Sequence, residues 1–191
     1  MKFITQTALI IALAIGGGQA LAQTFPPPPV DLPIKNIPQE TQVWCWAAVA
    51  QQIIMATRGP QRTPPQCALV ARAYGNHPQS CCSGAQNCAV TGSLEQIQGL
   101  IAEFGGRHSQ LAPPTDAMSL YATLSAGKAI IMAVKSSPMS GHVVVLRGMG
   151  WMQTPYGPKP MLFINDPMAF FTQPVPFEQI AQYWESAIVV Q

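Results

Sequence analysis

The chain has 191 residues, of which 48% are hydrophobic and only 9% charged, and its 10 basic and 8 acidic side chains leave a formal net charge of +2. That length allows one compact domain of moderate size, and the composition excludes a chain kept disordered by charge. No Lys/Arg cluster supplies the basic field that a phosphate backbone requires, which excludes nucleic acid as a partner.

The N-terminus carries Lys2, an apolar run from about Thr7 to Ile15 and the small-residue stretch Gly16 to Ala22. These are the charged, apolar and cleavage regions of a secretory signal peptide, predicted over residues 1–22 with a cut after Ala22. The run is too short to span a bilayer, and no later stretch reaches roughly 18 apolar residues, so no membrane span is expected. The expected location is secreted or periplasmic. Residues 23–36, with the run Pro26 to Pro29, predict a stiff polyproline-like leader outside the core, and the folded domain is expected over 37–191.

From Val43 to Thr57 the positions Trp46, Val49, Ala50, Ile53 and Ile54 recur at helical spacing, and Gly59-Pro60 supplies a stop. The stretch from Gln61 to Val90 reads as loop-rich, with a short helix near Ala68 to Tyr74. Ser93 opens a further helix to about Phe104, stopped by Gly105-Gly106, and another runs from Asp116 to about Ser125. The period then changes. Ala129 to Lys135, His142 to Met149 and Met161 to Asn165 are Val/Ile/Leu-rich runs between turn residues and predict strands of one antiparallel sheet. A short helix from Phe177 to Tyr183 and a last strand near Ala187 to Val190 complete the order. Helices first and strands second make the fold class α+β, with a helical lobe and a sheet lobe.

All five cysteines follow the signal peptide and meet an oxidising compartment, and an odd count leaves one thiol over. His77, Cys81, Cys82 and Cys88 offer a zinc alternative. The absence of a Cys-x-x-Cys pair and the compartment favour disulfides instead, so no metal is expected. A ring between adjacent Cys81 and Cys82 would be strained, so Cys67 is expected to pair with one of them and Cys88 with the other.

Cys45 remains, at the start of the buried helix, where unpaired N–H donors and the helix dipole stabilise a thiolate. Such a nucleophile needs a base, and the base an orienting partner. His142 follows Gly141 and opens a strand, while Asp166 ends one. Strand ends are where a rigid sheet can present side chains to a cleft.

With Gln39 six residues before Cys45-Trp46, Gly141-His142-Val143-Val144-Val145 and Asn165-Asp166-Pro167, the sequence resembles the papain-like cysteine peptidases. It is most similar to small secreted bacterial members with a Trp-Cys-Trp-Ala-Ala start. The resemblance implies a papain-like two-lobe fold, with the nucleophile helix in the N-terminal lobe and the antiparallel sheet in the C-terminal one. It implies Cys45 as nucleophile and His142 as general base and acid. It further implies Asp166 as the residue that orients the imidazole, and Gln39 as side-chain donor of the oxyanion hole beside the Cys45 N–H. Asn165 adjoins Asp166, and the third role goes to Asp166 because Asp-Pro follows the strand in the bacterial members. The family's long inhibitory propeptide has no counterpart in the short leader.

The expected function is hydrolysis of peptide or amide bonds in a protein or peptide substrate through a Cys45 thioester. The mechanism needs no cofactor, and the chain is expected to be monomeric. Alternatives on the same triad are a transglutaminase-type acyltransferase and a peptidoglycan amidase; a non-catalytic disulfide-stapled module is the alternative without it. Trp44, Met139 and Trp151 are candidate substrate-binding residues near the nucleophile.

Overall fold

The computed structural model of the chain describes residues 26–137 and 140–191. The predicted signal peptide and its cut after Ala22 lie outside the described residues, as does Met139.

Helix α1 (Cys45–Arg58) is buried at every position from Trp46 to Ile54. A helix covered all round is a core element rather than a surface one. It ends where Gly59 takes a positive φ of 78° and its N–H reaches the Met55 carbonyl at 2.9 Å. Helices α2 (Gln66–Ala73) and α3 (Pro78–Cys82) fall in the loop-rich stretch, of which α3 was not expected. Helix α4 (Leu94–Leu100) starts in a capping box of Ser93 with Gln96. The expected continuation to Phe104 changes character, because Ile101–Gly105 forms a wider π turn before Gly106 turns left-handed at φ 63°.

Strand β1 (Val30–Asp31) precedes these helices, and β2 (Ser109–Ala112), helix α5 (Ala117–Ser125), β3 (Ile130–Ser137) and β4 (Ser140–Thr154) follow them. Then come β5 (Gly157–Asn165), β6 (Val175–Pro176), helix α6 (Phe177–Ala181) and β7 (Trp184–Val190). The strands form a seven-stranded antiparallel sheet in the order β2-β7-β3-β4-β5-β6, with β1 on β4.

Both faces of this sheet are covered. Ile131, Ala133, Val143, Val145 and Ile188 pack with α1, α2 and α4, while Ile130, Met132, Val134, Val144 and Leu146 pack with α5 and α6. Alternate residues therefore enter opposite cores, which is why these strands read as unbroken apolar runs. The class is α+β as expected.

Strand β4 is longer than expected because its later half gains partners of its own. On one edge Met149 and Gly148 pair with Val30 and Asp31; on the other the strand runs beside β5 to Thr154 opposite Gly157. A Cβ at Gly148 would collide with the Val30 carbonyl and the Phe163 ring, so only glycine lets β1 approach. The stretch expected as a leader outside the core thus enters the sheet from Val30 onward. Leu32 N–H donates to the Arg147 carbonyl at 2.8 Å, and Ile34 is buried among the helices. Val30, Leu32 and Ile34 alternate as a strand requires; the preceding prolines masked that pattern.

Candidate active site

Two tryptophans hold the start of α1. Trp44 Nε1 donates to the Cys88 carbonyl at 2.8 Å and Trp46 Nε1 to the Val90 carbonyl at 3.2 Å. The first acceptor belongs to the segment stapled by the Cys67–Cys82 and Cys81–Cys88 disulfides, whose partners are 15 and 7 positions apart, and the second lies two residues beyond it. Cys45, half-buried, is the one cysteine left unpaired. The N-cap Trp44 offers no side-chain acceptor and the first turn has no acidic residue, so the N–H groups at the Cys45 end keep their positive field unopposed by a side chain.

His142 is the third residue of β4, paired across the ladder with Val134, and only 3% exposed. Its Nε2 meets Asp166 Oδ1 at 2.7 Å, which leaves Nδ1 as the ring nitrogen available to Cys45. Burial alone disfavours the charged imidazolium. The hydrogen bond to Asp166, with the hydrogen bond and charge of Cys45, overcomes that and raises the His142 pKa to about 9. Asp166, just past the end of β5, is 1% exposed. Burial raises its pKa, but the bond to His142 and the N–H groups of Met168 and Phe171 lower it further than burial raises it. Those N–H groups sit 2.8 and 3.0 Å from the carboxylate, within a tight turn whose Ala169 adopts a positive φ of 59°. That turn sets Phe170 edge-on to the imidazole, with ring centroids 5.8 Å apart.

Cys45 and His142 face one cleft of about 730 Å³. Trp46 and the Thr91-Gly92-Ser93 turn line its helical side; Ala133, Val134 and Val143 line its sheet side. Gly92 is obligatory there, since a Cβ would overlap the Trp46 indole. Glu185 brings the one acidic side chain among the lining residues. It is the extra residue of a bulge in β7, between Trp184 opposite Val134 and Ser186 opposite Ala133. Sequence reasoning missed Glu185, Phe170 and Gly92. Only Gly92, flanking the Ser93 cap, left a local trace.

Gln39 lies beside the site rather than in this cleft. Its N–H binds the Pro167 carbonyl at 3.1 Å and its Nε2 donates to the Thr41 carbonyl at 2.6 Å. Gln66 fixes the same turn, donating to the Pro38 carbonyl at 2.8 Å and accepting from Glu40 N–H at 3.0 Å. Gln39, Gln42, Pro167 and Met168 line an adjoining depression of about 520 Å³. Asn165 does not compete with Asp166 for His142: its side chain donates to the Ile34 carbonyl at 2.8 Å and accepts from Arg147 Nε at 3.0 Å.

Two expected substrate-binding residues lie elsewhere. Trp44 is 5% exposed and turned into the stapled segment by its bond to Cys88, so Trp46 occupies the wall in its place. Trp151 lies about 30 Å along β4 from His142 by the rise of a strand, its ring tilted at 50° to that of Tyr121 with centroids 6.2 Å apart. Met139 is outside the described residues. His77, weighed as a zinc ligand, instead accepts from Gln79 N–H at 3.2 Å.

A thiol at an uncapped helix start, facing an imidazole held by a buried carboxylate, can attack a carbonyl carbon and exchange protons with what it displaces. Two solved structures share the fold. One is a C39-like peptidase from Bacillus anthracis, at TM-score 0.56 and 14% identity over 85% of this chain and 97% of that one. The other is the peptidase domain of Streptococcus ComA, a bi-functional ABC transporter involved in a quorum sensing pathway, at 0.56 and 16% over 82% and 97%. No curated protein sequence matches. The family model described as papain-like cysteine protease AvrRpt2 matches residues 29–185. Reaching from the strand that enters the sheet first to the bulge that lines the cleft, that match makes the chain a member of this family and a papain-like cysteine peptidase.

Proposed function

We propose that this peptidase is exported and cleaves peptide bonds of a protein substrate with Cys45, His142 and Asp166 as its catalytic triad. The carrying observation is the 2.7 Å bond between His142 and Asp166 in the cleft that holds the single unpaired cysteine. For the attack the proton is held by His142, whose raised pKa of about 9 suits that role, and Sγ acts as the nucleophile. Sγ attacks the scissile carbonyl carbon, and the carbonyl electrons move to oxygen. The tetrahedral intermediate collapses as the C–N bond breaks, and His142 gives its proton to the departing amine. Water then attacks the thioester carbon, His142 takes the water proton, and the acid leaves as Sγ regains its charge.

The oxyanion is assigned to the Cys45 N–H and to the Gln39 amide. Gln39 uses one of its two Nε2 protons on Thr41, which leaves the second for this role. The predicted signal peptide and the two disulfides support export.

Treatment with iodoacetamide followed by peptide mass spectrometry tests the assignment. Cys45 is expected to be modified selectively, and Cys45→Ala to lose turnover of a mixed peptide library. Retained cleavage in that variant overturns the triad. An amine-linked product in place of hydrolysis, when an amine is supplied, overturns hydrolysis in favour of acyl transfer.

A further inference from the structure

Asn36 has no role in the chemistry above, yet its side chain joins the two halves of the site. Its Nδ2 donates to the Asp166 carbonyl at 3.0 Å, and its Oδ1 accepts from Gln52 Nε2 at 3.1 Å. Gln52 lies on α1, two turns beyond Cys45, and also donates to the Ile37 carbonyl at 3.2 Å. The groups that Asn36 connects are buried, Gln52 and Asp166 each at 1% exposure, whereas Asn36 itself is exposed. Neighbouring bonds, from Asn165 to the Ile34 carbonyl and from Gln39 N–H to the Pro167 carbonyl, lash the same segment to the end of β5.

These contacts close a circuit. It runs from Cys45 along α1 to Gln52, across Asn36 to the Asp166 main chain, through the carboxylate to His142, and back to Cys45. We infer that Asn36 is a positioning residue of the peptidase, setting the register between the nucleophile helix and the strand end that carries Asp166. The inference rests on the triad reading above. Apolar packing between α1 and the sheet is non-directional and by itself leaves their register some freedom that directional hydrogen bonds remove. Proton exchange between Cys45 and His142 does not tolerate that freedom. An asparagine amide offers one donor and one acceptor from a short planar group, which meets a carbonyl on one side and an amide N–H on the other.

The test follows the rate at which iodoacetate alkylates Cys45 as a function of pH. An anionic reagent is drawn by the imidazolium, so the rate falls as His142 loses its proton. The groups facing that ring are the Cys45 thiol and the Asp166 carboxylate, and Glu185 lines the same cleft. Asn36→Ala and Asn36→Ser, at an exposed position that leaves no cavity, are each expected to slow alkylation about threefold to tenfold. Each should also move the alkaline limb down by roughly half a pH unit or more, as the bond to Asp166 loosens. In the Asp166→Asn background, Asn36→Ala should add nothing further. Wild-type rate and limb in both Asn36 variants overturn the inference, and so does an effect of equal size in the Asp166→Asn background. If Asp166→Asn by itself leaves the limb in place, the triad reading fails instead, a result separate from any effect at Asn36.

Discussion

The two walls of the cleft are held by different means. The helical wall, made by the start of α1 and the Thr91-Gly92-Ser93 turn, is backed by a loop-rich stretch stapled by two disulfides, to which the indole N–H groups of Trp44 and Trp46 tie the helix start. The sheet wall needs no crosslink, because β3, β4 and β7 pair along their length and are covered on both faces. The thiol stands on the wall that is stapled. The proposed base His142 and orienting acid Asp166 stand on the wall that is laddered. Crosslinks suit a segment with few apolar residues to bury, whereas a continuous sheet suits groups whose separation must be kept to fractions of an ångström.

The difference can be broken from either side. The largest effect is expected on the laddered wall: Asp166→Asn should lower kcat by about 10²–10⁴-fold with little loss of fold. Steady-state turnover against a thermal melt separates the two readings. With His142 as the proposed base, the alkaline limb of activity is expected near its pKa of about 9, and the same variant should move that limb down. The sign follows from the raised pKa. Imidazolium is favoured in the fold, so its contribution is complete below about 6.5 and fades as pH rises through about 9. Removing the carboxylate removes the main source of that elevation.

Next in size is Gln39→Ala, for which a roughly 10²–10³-fold loss in kcat is expected. An unchanged kcat would take the oxyanion role away from that side chain. On the stapled wall, Cys81→Ser with Cys88→Ser should cost about 2–4 kcal/mol in a urea titration. Cys45 alkylation in the surviving folded fraction should keep its native pH limb, since the laddered wall is untouched. A limb that moved would show the two walls to be coupled more tightly than their separate supports imply. The smallest effect belongs to Asp31→Ala, which removes the exposed ion pair with Arg147 at the outer edge of β4. It should change stability by less than about 1 kcal/mol.

The same contrast explains what the sequence could reveal. The laddered wall is built from alternating or continuous apolar runs, so His142 and Asp166 could be placed at strand ends from Val143 to Leu146 and Leu162 to Asn165 alone. Cys45 was legible from helical spacing behind it and from Gln39 and Trp46 around it. Trp44 and Trp46 differ by two positions, and which of them faces substrate depends on carbonyls at Cys88 and Val90, over forty residues away. No local pattern carries that information. Glu185 reaches the cleft through a bulge set by the register of β7 on β3, which is equally invisible in the chain order. The short pairing of β1 on β4 was hidden by prolines and permitted by Gly148, whose need for close approach appears only when the partner is in place.

Adjacent Cys81 and Cys82 go to different bridges, and these are unequally sheltered. Cys81 and Cys88 are 3% and 1% exposed, while Cys82 is open to solvent and Cys67 half-buried. For anyone handling the enzyme this defines a working range of reductant. With Cys45 as the proposed nucleophile, low concentrations of a small thiol are expected to return it from an oxidised form, and higher ones to open the more exposed Cys67–Cys82 bridge before the Cys81–Cys88 bridge. Activity plotted against reductant should therefore rise and then decline in steps, and purification without any reductant should yield intact folded protein with a silent nucleophile.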